Sequence, residues 1–133
     1  MAVDSHTDDK SVPDDAVLWR RINPEWRVHD EAQGRWRVSS QAFQDHPNGS
    51  AMSVYLASET PGGAQEILAG HEGYGLAEVT AQLVRDLDQA IVRDPLPEAP
   101  SHALVFGLKS DAVRRTLARA AVWVVEPTAS PTA

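Results

Sequence analysis

Residues 102–125 read HALVFGLKSDAVRRTLARAAVWVV, and this stretch predicts a strand, a helix and a second strand in direct succession. Residues 102–107 form a short apolar run that is typical of a buried strand. Ser110 is a favourable N-cap for a helix over residues 111–120. The continuous apolar run at residues 121–125 predicts a strand in an interior position of the sheet.

Strand-like segments dominate the first half of the chain. Apolar character, alternation and flanking turn residues predict four of them, at residues 16–22, 26–29, 35–40 and 52–57. A turn-rich stretch that ends at Gly34 joins the second segment to the third as a hairpin, because glycine adopts positive φ without a steric cost.

Helical patterns follow these strands. Residues 60–68 begin with Thr-Pro and predict a short helix. Apolar spacings of three and four predict an amphipathic helix over residues 76–87, and residues 90–93 predict a strand. Clustered strands followed by alternating helices and strands indicate an α+β fold: a single domain with a mixed or antiparallel sheet of about five to six short strands and two to three helices.

The length of 133 residues fits one domain. Residues 1–15 contain five aspartates and almost no large apolar side chain, which predicts a flexible acidic tail. Residues 127–133 have a similar polar character, rich in proline and threonine, and also predict a flexible tail. The globular α+β domain is therefore expected over residues 16–126.

Charge and composition restrict the possible partners. The chain has 19 acidic and 12 basic side chains and a net charge of −7, which disfavours binding to a nucleic acid. There is no cysteine, no long apolar run and no basic leader followed by an apolar segment, so we expect a cytoplasmic protein that does not engage a membrane. Ten of the 12 cations are arginines, whose planar forks suit a local anion site.

The candidate ligand-binding residues lie mainly on the predicted strands. Within residues 35–40, alternation directs two arginines and a serine to one side of the strand. If the early strands are neighbours, guanidinium and hydroxyl groups from several of them would share one cleft. The Gly-rich segment at residues 70–75 contributes one further polar side chain. The candidates for ligand binding are Arg20, Arg35, Arg37, Ser39, Ser40 and His71.

Residues 70–75 read GHEGYG and invite comparison with a zinc site. The zinc-protease pattern requires a second histidine four residues after His71, and Gly75 stands there instead. We therefore expect no metal site and interpret the histidines as ordinary surface or hydrogen-bonded residues. Phosphate-loop, dinucleotide-binding and nucleophile-elbow motifs are also absent from the sequence.

Three short segments resemble the opening motifs of RES-domain toxins, which are NAD-degrading relatives of the ADP-ribosyltransferases. They are LWRRI at residues 18–22, GRWRVSS at residues 34–40 and SVYLASE at residues 53–59. The resemblance implies that Arg20 contacts the phosphates of an NAD cofactor and that Tyr55 packs on the nicotinamide side. It also implies that Ser58 or Glu59 lies near the reacting ribose, which makes Tyr55 and Glu59 the candidate catalytic residues.

Two hypotheses of function stay open at this point. In the first, the chain is a bacterial cytoplasmic, non-catalytic binding or accessory module that engages a protein partner or a small anionic ligand. In the second, it is an ADP-ribosyltransferase-like enzyme that consumes NAD or a related nucleotide. Convergence of the candidate side chains on one small volume is the property on which an enzyme depends.

Overall fold

Eight strands and three helices make up residues 7–128, the part of the chain that this computed structural model describes. The strands are β1 (Val17–Ile22), β2 (Arg27–Asp30), β3 (Arg35–Val38), β4 (Met52–Leu56), β5 (Gly75–Thr80), β6 (Ala90–Arg93), β7 (His102–Phe106) and β8 (Val122–Val125). The helices are α1 (Gly63–Leu68), α2 (Ala81–Asp86) and α3 (Asp111–Ala120). None of these three helices is long and apolar enough to cross a membrane.

Six of the strands form one antiparallel sheet in the order β6-β7-β4-β1-β5-β8, and β2 and β3 form a separate hairpin. The prediction of a small α+β domain is confirmed. The early strands are not all neighbours, however. β1 pairs with β4, whereas β3 pairs only with β2 and lies outside the large sheet.

Both faces of the large sheet are covered. On one face, Leu18 and Ile22 of β1 belong to the main apolar core, which also contains Val84 of α2 and Leu117 of α3. On the other face, a smaller cluster joins side chains from β4, β5 and α1. Alternation along β1 assigns successive residues to these two faces.

The predicted amphipathic helix over residues 76–87 is wrong in its first half, which forms β5. This strand lies between β1 and β8, and an apolar cluster covers each of its faces, with Leu76 in the smaller cluster and Val79 in the main core. Thr80 ends the strand and caps α2, because its hydroxyl accepts a hydrogen bond from the Leu83 N–H at 3.2 Å. Apolar residues with helical spacing therefore form an interior strand here, because pairing with neighbouring strands outweighs the local periodicity of the sequence.

The predicted interior position of the last strand is also wrong, because β8 forms an edge of the sheet. Its apolar run is not buried throughout: Val122 is 58% exposed and Val124 is 38% exposed. The pairing with β5 is irregular, because its register shifts between Leu76 and Ala77. Trp123 and Val125 still pack against the core clusters, so only alternate residues of the apolar run contact the interior.

The acidic segment at residues 7–15 lies against the domain, although its composition predicts a flexible tail. Val12 is buried, and the carboxylate of Asp8 accepts hydrogen bonds from the Arg85 side chain and the Ile91 N–H. The buried side chain of Val12 and several ion pairs thus hold this segment against the domain, although the segment has no apolar stretch of its own. At the other end, Pro127 is buried. The remaining residues of both predicted tails, 1–6 and 129–133, lie outside the described residues.

Candidate anion-binding groove

A groove of about 890 Å³ lies between the β2–β3 hairpin and helix α3, with β8 along its side. Two arginines from the hairpin and two from the helix line it, together with two serines that follow β3. We call it the arginine groove. The residues that define it are Arg35, Arg37, Ser39, Ser40, Arg115 and Arg119.

Strand alternation in the hairpin directs Arg35 and Arg37 into the groove. Val38 is buried and Trp36 is half-buried, while both arginines are exposed. The hairpin turns at Gly34, which has φ +66° and whose N–H donates to the Asp30 carbonyl at 2.8 Å. The predicted positive φ at this glycine is therefore confirmed.

Helix α3 supplies the opposite wall. Ser110 caps the helix by accepting from the Val113 N–H at 3.2 Å, as the sequence predicts. Leu117 and Ala118 face the core. Arg115 and Arg119 are four residues apart, so they lie on the same side of the helix, and both are exposed.

The ten arginines of the chain divide into two groups. Six of them make hydrogen bonds or ion pairs: Arg20, Arg21, Arg27, Arg85, Arg93 and Arg114. Within residues 7–128, the other four guanidinium groups have no such partner, and they are the four that line the groove. The unpaired arginines of the described chain are thus concentrated in one place.

The groove also contains two acidic residues and a potential hydroxyl donor. Asp30 and Glu126 line it, but the Asp30 carboxylate is engaged in the hairpin turn, where it accepts from the Gln33 N–H at 3.1 Å. The Ser39 oxygen accepts from the Gln41 N–H at 3.2 Å, which leaves the Ser39 O–H able to donate. Four cations therefore face two carboxylates, and the local charge is positive in a chain whose net charge is −7.

Arg20 lies outside this groove, because its guanidinium is buried in the domain. It donates to the carbonyl oxygens of Ala42 and Ser53, both at 2.8 Å, and to that of Gln44 at 3.5 Å. It also lies over the ring of Trp26, at 5.6 Å from the centroid. Burial lowers the pKa of Arg20 to about 10, so the group is charged at neutral pH and holds three carbonyls.

Tyr55 faces the opposite side of the large sheet from Arg20. Tyr55 pairs directly with Trp19 in register, so the two share a face, and the adjacent Arg20 points to the other one. The Tyr55 hydroxyl instead accepts from Arg21 at 3.2 Å. The structure therefore does not bring together the arginine and the tyrosine that the resemblance to RES-domain toxins would place around one NAD molecule.

Glu59 and His71 lie elsewhere again. Glu59 forms an ion pair of 2.5 Å with Arg93. His71 makes an edge contact with the ring of Tyr74, and burial, together with the charge of Arg21, lowers the pKa of His71. Neither side chain lines the arginine groove. The catalytic roles of Tyr55 and Glu59 stay predictions.

Four of the six candidate ligand-binding residues are thus in one groove, and the structure adds Arg115 and Arg119, which the sequence analysis did not select. Their spacing of four along a helix was a signal that they share a face. Their approach to the hairpin depends on the packing of α3 against β3 and the 3-10 turn Ser40–Ala42, which no local pattern encodes.

Among residues 7–128, no group of three or more histidine or acidic side chains is arranged to hold a metal ion. Comparison with family models, curated proteins and solved structures finds no match to this chain. What the protein does is therefore inferred from the geometry of its own residues.

Proposed function

We propose that this chain is a bacterial cytoplasmic binding module whose arginine groove holds a small, multiply charged anion without converting it. The observation that carries the proposal is the convergence of four arginines, unpaired within the described residues, on one groove. Each guanidinium offers a planar set of donors that matches the oxygens of a phosphate or carboxylate, often in pairs.

The electrostatics of the arginine groove favour this role. Four like charges around one volume repel one another, and that repulsion raises the free energy of the folded state. A bound anion removes the repulsion and gains charge-assisted hydrogen bonds. Ligand binding should therefore also stabilise the fold.

The size and lining of the groove indicate the class of ligand. A volume of about 890 Å³ lies in the range of small-molecule sites. Val28 and Val122 line the groove beside the arginines and are exposed, at 38% and 58%. We therefore propose a ligand that combines phosphate or carboxylate groups with an apolar or aromatic part.

The acidic character of the remaining surface supports a small ligand over a long one. Outside residues 1–15 the chain still has more acidic than basic side chains. A long polyanion would have to approach these carboxylates as well as the groove, whereas a small anion meets only the local positive field.

The test is a thermal-shift screen at low salt, followed by calorimetry. The panel contains pyrophosphate, tripolyphosphate, citrate, nucleoside mono-, di- and triphosphates, ADP-ribose and NAD. We expect at least one ligand to raise the melting temperature by about 5 to 10 °C at about one hundred times its Kd. Affinity should fall as the salt concentration rises, because the contacts are ionic.

Arg37→Gln and Arg115→Gln should each weaken binding about tenfold, which corresponds to the loss of a charged hydrogen bond. Lys10→Gln is the matched control, since it removes the same charge from an exposed side chain outside the groove. Equal affinity of all three variants, or no stabilisation by any member of the panel, would exclude an anion site in the arginine groove.

A further inference from the structure

Ser53, His102 and Asp94 form a continuous hydrogen-bonded chain outside the arginine groove. The Ser53 Oγ of β4 lies 2.9 Å from the Nε2 of His102 on β7. The Nδ1 of the same imidazole lies 3.0 Å from the Asp94 carbonyl oxygen and 3.1 Å from the Asp94 Oδ2. A serine, a histidine and an aspartate are thus connected in the order that an activated nucleophile requires.

The contacts of His102 determine its protonation on each nitrogen. A carbonyl oxygen and a carboxylate oxygen only accept, so Nδ1 must carry the proton that it shares with Asp94. In the neutral imidazole Nε2 is then the unprotonated nitrogen, and the Ser53 hydroxyl donates to it. This is the tautomer in which an imidazole acts as a general base towards a serine.

The sheet register holds the serine and the histidine in this arrangement. Tyr55 pairs directly with His102, and Ser53 is two residues earlier on the same face of β4. The Tyr55 ring packs edge-on against the imidazole, with 5.4 Å between centroids. Arg20 fixes the backbone of the serine from within the domain by donating to the Ser53 carbonyl at 2.8 Å.

Asp94 is fixed from the opposite side. It directly follows β6, and its N–H donates to the His102 carbonyl at 2.9 Å. The next residue is Pro95, the first of three prolines in residues 95–100, which restrict the loop that begins there. The Asp94 carboxylate is therefore held next to the imidazole by the backbone on which it sits.

We propose that Ser53 is a nucleophile activated by His102, and that the chain hydrolyses esters of small carboxylic acids at this site. Asp94 is a positioning residue that acts through His102. Ser53 is half-buried on β4, beside the buried His102. Leu104 pairs directly with Ser53 and is also half-buried, which favours a small apolar acyl group beside the nucleophile.

The reaction has two balanced steps. The Ser53 Oγ attacks the ester carbonyl carbon and its proton moves to His102 Nε2; as the ester C–O bond breaks, that proton passes to the leaving alkoxide, which departs as an alcohol. Water then attacks the acyl-serine, gives a proton to Nε2 and releases the carboxylic acid, while the proton returns to Ser53. No oxidant or further co-reactant is needed.

The test uses the unmodified chain with a fluorophosphonate probe and with p-nitrophenyl acetate. We expect the probe to form a covalent adduct at Ser53, located by peptide mass spectrometry, and the ester to be hydrolysed. Ser58 is an internal control, because it is an exposed serine outside this hydrogen-bonded chain. Absence of an adduct at Ser53, or equal labelling of Ser58, would overturn the proposal, and neither result requires a variant that folds.

Variants assign the roles. Ser53→Ala should abolish both labelling and ester hydrolysis, and His102→Gln should slow labelling about 100-fold. Asp94→Ala keeps the backbone carbonyl contact and should slow labelling about tenfold, with partial recovery in Asp94→Glu, which a purely structural role would not produce. Anion binding in the arginine groove should be unchanged in all of them, so the two proposals fail or succeed separately.

Discussion

Trp123 donates its indole N–H to the carbonyl oxygen of Trp36, at 3.2 Å. Trp123 belongs to β8, the edge of the large sheet, and Trp36 belongs to β3 of the hairpin, and both line the arginine groove. This hydrogen bond therefore joins the two sheets beside the arginines. The position of Arg35 and Arg37 relative to the large sheet depends in part on it.

Trp123→Phe should loosen the hairpin and weaken anion binding. The substitution keeps an aromatic ring but removes the N–H, which leaves the Trp36 carbonyl without this donor. We expect the free energy of unfolding to fall by about 1 kcal/mol beyond the loss of ring contacts. Urea denaturation and calorimetry with the anion found by screening measure the two effects.

Trp19→Phe is the matched control. Trp19 is also half-buried, but within the described residues its indole N–H is buried without a hydrogen-bond partner. The same substitution there reduces the ring by the same volume and breaks no hydrogen bond. If both variants lose equal stability and bind the anion equally well, the Trp123 contact does not position the hairpin.

Local patterns predicted much of the fold. The helix capped by Ser110 and the turn at Gly34 depend on residues a few positions apart, and both formed as expected. The predictions of a helix at β5 and of an interior position for β8 were wrong. The place of a strand in the sheet depends on which other strands pair with it, and its own residues do not encode those partners.

In the candidate sites, too, relations between residues close in the sequence were predicted and contacts between distant residues were not. Alternation along β3 correctly paired Arg35 with Arg37, since that relation is local. Arg20 reads as a ligand-binding arginine in the sequence, but it is a buried donor to carbonyls 22, 24 and 33 residues away. The contact of Ser53 with His102 spans 49 residues, so no short motif could have indicated it.

Arg20→Met should destabilise the domain by about 2 to 4 kcal/mol, because the carbonyls of Ala42, Ser53 and Gln44 lose a charged donor. Arg20→Lys should recover only part of the loss, since one ammonium cannot span three acceptors. Urea denaturation measures both. NAD turnover that disappears in Arg20→Lys without a change in stability would instead favour the transferase hypothesis.

The segment at residues 7–15 should make stability depend on pH at the acidic end. Burial raises the pKa of Asp8, but the Ile91 N–H and the Arg85 guanidinium outweigh it and hold the pKa below its ordinary value of 3.8. The ionised Asp8 carboxylate therefore stabilises the fold at pH values above its ordinary pKa of 3.8. This contribution is lost as the pH falls through the lowered pKa that Asp8 has in the folded protein.

Asp8→Asn should accordingly lower the free energy of unfolding by about 1 kcal/mol at pH 7, and the difference from the wild type should shrink as Asp8 becomes protonated. Urea denaturation from pH 7 down to about pH 3 measures it. Asp15→Asn is the control, because Asp15 is exposed and has no ion pair within the described residues. A difference that stays constant with pH would show that the Asp8 charge is not responsible.

Gly75→Ala should disturb the edge of the sheet at β8. A methyl group at Gly75 would lie 2.5 Å from the Pro127 ring and 2.6 Å from the Val125 carbonyl oxygen, so the chain after β8 has to move. We expect a loss of about 1 to 3 kcal/mol in the free energy of unfolding. Pro127→Gly in the same chain removes the ring contact but not the carbonyl contact, so the double variant should lose less stability than the sum of the two single variants. Strict additivity would mean that Gly75 and Pro127 do not compete for the same space.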